Sequence, residues 1–128
     1  MTPHAARRWR ETWARAWPAK DVDAIVALYA DDAVYRSHPC REPEASPLAY
    51  VQRVFAEEEE VECRFGEPML AGDRAAVEWW ATFQEAGAPF TLAGTTVLRF
   101  GSSGLVTEHI DYWVQEEGRR EPPPGWGR

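Results

Sequence analysis

Long apolar runs are missing from this sequence. No stretch approaches the roughly 20 residues that a membrane-spanning helix needs, and the first residues carry no apolar leader segment. These absences make a cytoplasmic protein with no membrane partner the expectation. Cysteine is scarce: Cys40 and Cys63 are the only two, without metal-type CxxC spacing, so free thiols in a reducing compartment are expected. Positive charge is also short, with 14 Lys and Arg against 21 Asp and Glu and a formal net charge of −7. A phosphate backbone needs a basic stripe, so nucleic acid is not expected as a partner. The basic residues gather at the ends, and Arg7, Arg8 and Arg10 read as a solvated helix face. Gly-rich phosphate loops, a nucleophile elbow, a dinucleotide fingerprint and internal repeats are all lacking, which leaves no sign of a cofactor.

What is present suits one folded domain. The 128 residues can bury a single core, and 45% are apolar. Seven of them are Trp, a side chain with a large apolar surface and one N–H donor, at home in a core or in the wall of a ligand cavity.

Helical spacing comes first. Ala6, Trp9, Trp13, Ala16 and Trp17 form one stripe of a helix over 3–17, which Pro18 should end. Asp21 can cap a second helix with Val22, Ile25, Val26 and Tyr29 on one face. Asp31 and Asp32 read as a turn into a short strand over 33–37, followed by a proline-rich loop. Ser46 and Pro47 read as the N-cap and first position of a third helix with Leu48, Val51, Val54 and Phe55 on its buried stripe. The acidic run 57–60 reads as the solvated, self-repelling end of that helix.

Alternation then replaces helical spacing. A strand over 61–70 is broken by Gly66 and Pro68, and Gly72-Asp73 is a turn. Val77, Trp79, Ala81 and Phe83 share one face of the next strand. Beyond the turn EAGAP, Leu92, Gly94, Thr96, Leu98 and Phe100 share one face of another. After the turn GSSG comes GLVTEHIDYWV, residues 104–114, in which His109 and Asp111 stand two apart and therefore on one face. Alternation alone makes Val106, Ile110, Tyr112 and Val114 the core face of this strand. Residues 1–115 read as the domain and 116–128 as a flexible tail, with Trp126 a candidate for docking. Helices followed by hairpin-linked strands indicate α+β with a curved antiparallel sheet.

The order of elements, with DVDAIVALYADDAVY, the proline loop and LRF-GSSG-LVTEHIDYW, resembles the nuclear transport factor 2-like superfamily over residues 5–115, and within it the SnoaL-like proteins and ketosteroid isomerases. The resemblance implies a cone in which three helices and the curved sheet enclose a pocket, and a homodimer through the outer sheet face, where Trp80, Ile110 and Tyr112 would form an apolar patch. It implies isomerase, cyclase, dehydratase or hydrolase chemistry, or a carrier without chemistry. The isomerase set is an Asp base with a Tyr and a protonated Asp at the oxyanion. Those positions correspond here to Ser37, Trp13 and Thr96, none of which keeps its chemistry, so ketosteroid isomerisation by that set is not expected. Cyclases and epoxide hydrolases of this fold have an acid at the end of the last strand. Val114 stands there, with Asp111 three residues before it.

The resemblance turns His109, Asp111 and Trp113 inward, against the alternation, and the inward facing is the reading adopted. The expected catalytic residues are therefore Asp111, as base, or His109, as shuttle; the alternative is a solvated pair at a sheet edge. Trp13, Tyr35, His38, Trp79, Thr96 and Trp113 are the expected ligand-binding residues. His38 and Cys40 are two metal-type ligands where a site needs three or four, so no metal is expected. The expected ligand is a small hydrophobic, carbonyl-bearing molecule handled by a cofactor-independent isomerase, cyclase or dehydratase. The alternatives are a small-molecule carrier and a protein-binding module of the same fold.

Overall fold

Helix α1, Thr2–Ala19, buries the predicted tryptophan stripe, with Trp9, Trp13, Ala16 and Trp17 all turned to the core. The computed structural model describes residues 2–128. Pro18 sits inside the last turn, and its missing N–H leaves the carbonyl of Ala14 without its usual donor. Cys63 Sγ donates to that carbonyl at 3.7 Å. The helix closes on Lys20, whose left-handed φ of 57° lets Lys20 N–H reach Trp17 O and Asp21 N–H reach Ala16 O.

Helix α2, Val22–Val26, is capped by Asp21, which accepts from Ala24 N–H at 3.2 Å. It is shorter than its apolar spacing suggests. Tyr29 opens strand β1, Tyr29–Arg36, instead of ending a helical face. The reason is tertiary: Val106 N–H binds Leu28 O at 2.9 Å, which draws the chain onto the sheet before a second helical turn can form. Asp31 and Asp32 consequently lie in an irregular stretch of β1 rather than in a turn.

Helix α3, Pro47–Glu57, starts as expected, with Ser46 Oγ accepting from Ala49 N–H at 3.0 Å. Val51 and Phe55 are buried, and Leu48 is exposed. The acidic run is not a solvated helix end. The helix stops at Glu57, Glu58 is buried, and Glu59 begins strand β2, Glu59–Phe65.

The remaining strands are β3, Met69–Ala71; β4, Arg74–Glu85; β5, Ala88–Phe100; and β6, Val106–Glu117. They form one curved, open, six-stranded sheet in the order β1-β6-β5-β4-β2, with β3 on the end of β4. Every pairing is antiparallel except β1 with β6, which is parallel. The α+β class expected from the element order, and the cone that the resemblance implies, are the fold observed. On its inner face β4 presents Val77, Trp79, Ala81 and Phe83 to the helices, as their alternation predicts.

A bulge decides the facing of β6. Arg99 pairs with Glu108 but Phe100 pairs with Val106, so Thr107 is an extra residue. One extra residue flips the side-chain parity. Val106 is buried, and three residues later so is His109, while Tyr112 and Val114 are exposed.

The outer face carries the last residues of the chain. A flexible tail is expected over 116–128; strand β6 instead runs on to Glu117, and the residues after it make defined contacts there. Trp80 Nε1 donates to Arg120 O at 2.9 Å, and the Trp80 ring meets Trp126 edge-on. Trp80, expected in a dimer patch, is thus met by the chain's own C-terminal segment. Tyr112 and Val114 remain exposed on that face, and Ile110 is half-buried. Among the described residues no helix is long and apolar enough to cross a membrane.

Candidate functional site

A cavity of about 200 Å3 lies between the helices and the inner face of the sheet. Its walls are largely indole and phenyl rings, among them Trp13, Trp17, Phe55, Trp79 and Trp113. None of the indole N–H groups is left for a ligand. Trp9 and Trp13 donate to Tyr29 Oη at 3.0 and 3.2 Å, Trp17 to Glu58 Oε1 at 2.8 Å, Trp79 to Thr96 Oγ1 at 2.8 Å, and Trp113 to Ser37 O at 2.6 Å. The tryptophans therefore offer the cavity apolar surface, and its polar chemistry comes from elsewhere.

His109 and Asp111 stand on the inner wall in one connected network. Tyr29 Oη lies 2.8 Å from His109 Nδ1, His109 Nε2 lies 2.8 Å from Asp111 Oδ1, and Thr96 Oγ1 donates to the same Oδ1 at 2.6 Å. Counting donors settles the proton positions. Tyr29 Oη accepts from two indoles, which can only donate, so its own hydrogen goes to His109 Nδ1. His109 then carries its proton on Nε2 and donates it to Asp111. Thr96, which accepts from Trp79, gives its hydroxyl hydrogen to Asp111 as well. Burial pushes the Tyr29 hydroxyl far above its ordinary range, which keeps it a donor.

Both ring nitrogens of His109 are occupied, and its ring stacks on Tyr35 at 3.8 Å. Asp111 differs: it lines the cavity, both of its bonds fall on Oδ1, and Oδ2 has no hydrogen-bond partner among the described residues. Two tyrosine hydroxyls stand in the same position. Tyr35 and Tyr50 line the cavity with ring centroids 5.0 Å apart, and neither hydroxyl has a hydrogen-bond partner among the described residues. Burial, reinforced by the Asp111 charge, raises both well above the usual tyrosine range, so both remain O–H donors.

Of the residues singled out by sequence, Trp13, Tyr35, Trp79, Thr96, His109, Asp111 and Trp113 all line this one cavity. His38 does not. Its ring packs edge-on against Trp113 at 5.2 Å, and its Nδ1 accepts from Cys40 N–H, so it backs a wall residue. Among the described residues no three His, Cys, Asp or Glu side chains converge in a metal-like group. Ser37 is buried and donates to Glu44 Oε2 at 2.8 Å, outside the network.

Tyr50 and Glu58 are additional cavity residues. Glu58 is only 7% exposed, with its carboxyl pushed up to about 7 by burial, and the Trp17 N–H is the largest effect opposing that rise. Helical spacing carries a signal for Tyr50, which stands four residues before Val54 and adjoins the buried stripe. Glu58 lies past the end of α3, with extended backbone, where that spacing no longer applies.

A curved sheet closed by helices around an aromatic cavity defines the cone fold of the ketosteroid isomerase-like and nuclear transport factor 2-like proteins. The sequence of the SnoaL-like domain matches residues 7–109, and the chain belongs to that family. Among solved structures, a hypothetical protein with a ketosteroid isomerase-like fold from Catenulispora acidiphila, in complex with trimethylamine, is 26% identical over 80% of this chain and 82% of that one, with a TM-score of 0.69. SalBIII, an epoxide hydrolase/cyclase-like enzyme with a role in pyran ring formation in the polyether salinomycin, is 16% identical over 90% and 96%, with a TM-score of 0.77. An LEH-like epoxide hydrolase of Mycobacterium tuberculosis is 18% identical over 87% and 84%, with a TM-score of 0.70. No curated protein matches the chain.

Proposed function

We propose that the protein is a cofactor-independent enzyme that moves a proton on a small, mainly apolar ligand bearing a carbonyl group, with Asp111 as the general base. The observation that carries this reading is the one-sided bonding of Asp111. Two donors hold Oδ1, which fixes the carboxylate in orientation, and Oδ2 is left without a partner on a residue that lines the cavity. A base must be held in place and must reach the proton it takes.

In the proposed step Asp111 Oδ2 removes a proton from the carbon next to the carbonyl. The electron pair of the broken C–H bond moves onto the carbonyl oxygen, and the Tyr35 and Tyr50 hydroxyls donate to the oxyanion that forms. Asp111 then returns the proton at another carbon, or a β-leaving group departs. His109 acts as a positioning residue, because both of its nitrogens are engaged. This division differs from a His109 shuttle and accounts for the loss of the isomerase set at Trp13, Ser37 and Thr96: the base has moved to β6 and the oxyanion donors to β1 and α3.

The test is hydrogen–deuterium exchange at the α-carbon of a panel of cyclic ketones, followed by NMR in deuterated water. The wild type is expected to accelerate exchange for at least one member, with Asp111→Asn abolishing it while the ketone still quenches tryptophan fluorescence. The missing isomerase side chains favour the second reading, a carrier with the same cavity. Ketone binding without exchange in the wild type would establish the carrier and remove the enzyme.

A further inference from the structure

The proton-transfer network makes no use of Glu58, and a buried carboxyl without a cation partner calls for an account. Its residue is only 7% exposed, it lines the cavity, and among the described residues its one side-chain hydrogen bond comes from the neutral Trp17 N–H on Oε1, with none on Oε2. Around the same cavity stand Glu57 and Glu85, and with Glu58 and Asp111 they make four carboxyl groups against a single lining cation, Arg41. Arg41 is itself held over the Trp113 ring at 5.4 Å. Most of the rest of the wall is aromatic, with Val51, Val54 and Leu92 completing its apolar surface. Indole faces attract a cation through their quadrupole, and most strongly where water is excluded. A neutral apolar ligand would gain nothing from Glu58 and would meet its desolvated carboxyl as a cost.

We infer that the cavity takes a ligand with a positively charged amine, and that Glu58 is the residue that recognises the charge, with the surrounding indole rings supplying cation–π attraction. The inference rests on the proposed reading of the cavity as a ligand site and adds the ligand's chemical class. It gives the two acids separate tasks: Asp111, clamped by His109 and Thr96, faces the reacting carbon, and Glu58, clamped by Trp17, faces the ammonium. Burial pushes the Glu58 carboxyl up to about 7, so part of it is neutral at pH 7 before a ligand binds; Glu85 and Glu57 push the same way, and the Trp17 N–H and Lys20 oppose. Tyr50 and Cys63 also face Glu58, and burial holds both neutral in this range. An arriving ammonium favours the ionised carboxylate, so binding is accompanied by release of a proton to the buffer.

Choline and 3,3-dimethylbutan-1-ol test this, because they share one shape and differ by a single charge. Titration of the full chain at pH 7, followed by tryptophan fluorescence and calorimetry, should give a preference for choline of about tenfold or more, as expected for a desolvated cation among indoles. Heats measured in buffers of different ionisation enthalpy should show proton release. Glu58→Gln, which keeps an acceptor for the Trp17 N–H, should cut the preference several-fold and abolish the release. Equal binding of the two by the wild type, or a preference and a proton release that are undiminished in Glu58→Gln, overturns the amine inference and leaves the ligand site standing. Binding of neither, and of no ketone, overturns both.

Discussion

Tyr29 Oη and His109 Nδ1 lie 2.8 Å apart, and because two indole N–H groups already fill the acceptor capacity of Tyr29, the tyrosine is the donor. This bond fixes the His109 tautomer and, through Nε2, the orientation of Asp111. Its partners come from positions far apart in the chain, Trp9 and Trp13 on α1, Tyr29 at the start of β1, and His109 on β6.

Tyr29→Phe tests that relationship. The substitution leaves two buried indole N–H groups without an acceptor and His109 Nδ1 without a donor. At about 1–3 kcal/mol for each buried group left unpaired, the loss should be about 3 kcal/mol or more by urea denaturation. Nitrogen-15 spectra of the wild type should show the Nε2–H tautomer of His109. A protonated Nδ1 in the neutral ring would contradict the assigned direction of the bond.

Glu58 sets a pH dependence of stability. Burial holds its carboxyl protonated up to about pH 7 in the fold, against 4.5 ordinarily, so the folded chain binds more protons than the unfolded chain between those values. Stability therefore falls as pH rises from 4.5 to 7, by an amount of the order of 3 kcal/mol at about 1.4 kcal/mol per pKa unit, and is steady above. Glu58→Gln removes this component. Urea midpoints from pH 4.5 to 8 should converge at low pH and diverge toward neutrality, with the variant the more stable; parallel curves would refute the assignment.

Gly94 is required for the cavity wall. A Cβ there would lie 2.8 Å from the Trp79 ring, 2.9 Å from Trp113 Cβ and 2.7 Å from Tyr112 O, and the last of these is backbone that cannot swing aside. Gly94→Ala should cost about 2 kcal/mol through overpacking and displace the two indoles. A near-ultraviolet circular dichroism spectrum identical to the wild type, with unchanged stability, would count against it.

The fold was legible wherever burial follows a period. The Trp9, Trp13 and Trp17 stripe, the Ser46-Pro47 cap and the alternation of Val77, Trp79, Ala81 and Phe83 are local patterns, and the structure keeps them. The site was legible in its composition and less so in its connections. His109 and Asp111 stood out because polar residues interrupt an apolar strand. Tyr29, Tyr50 and Glu58 were hidden, the first by a helical spacing that the chain abandons, the second beside a stronger apolar neighbour, the third in an acidic run that resembles any solvated surface.

By itself, then, the sequence determined an α+β chain with an aromatic interior and a His–Asp pair on one strand face, since these depend on spacing along the chain. Only the tertiary structure decided which way that face looks, because a single extra residue, Thr107, inverts the parity of β6. The tertiary structure also decided which oxygen of Asp111 is free and that Glu58 is enclosed. Those outcomes depend on partners supplied by Tyr29, Thr96 and Trp17 from other elements, and no local pattern records them.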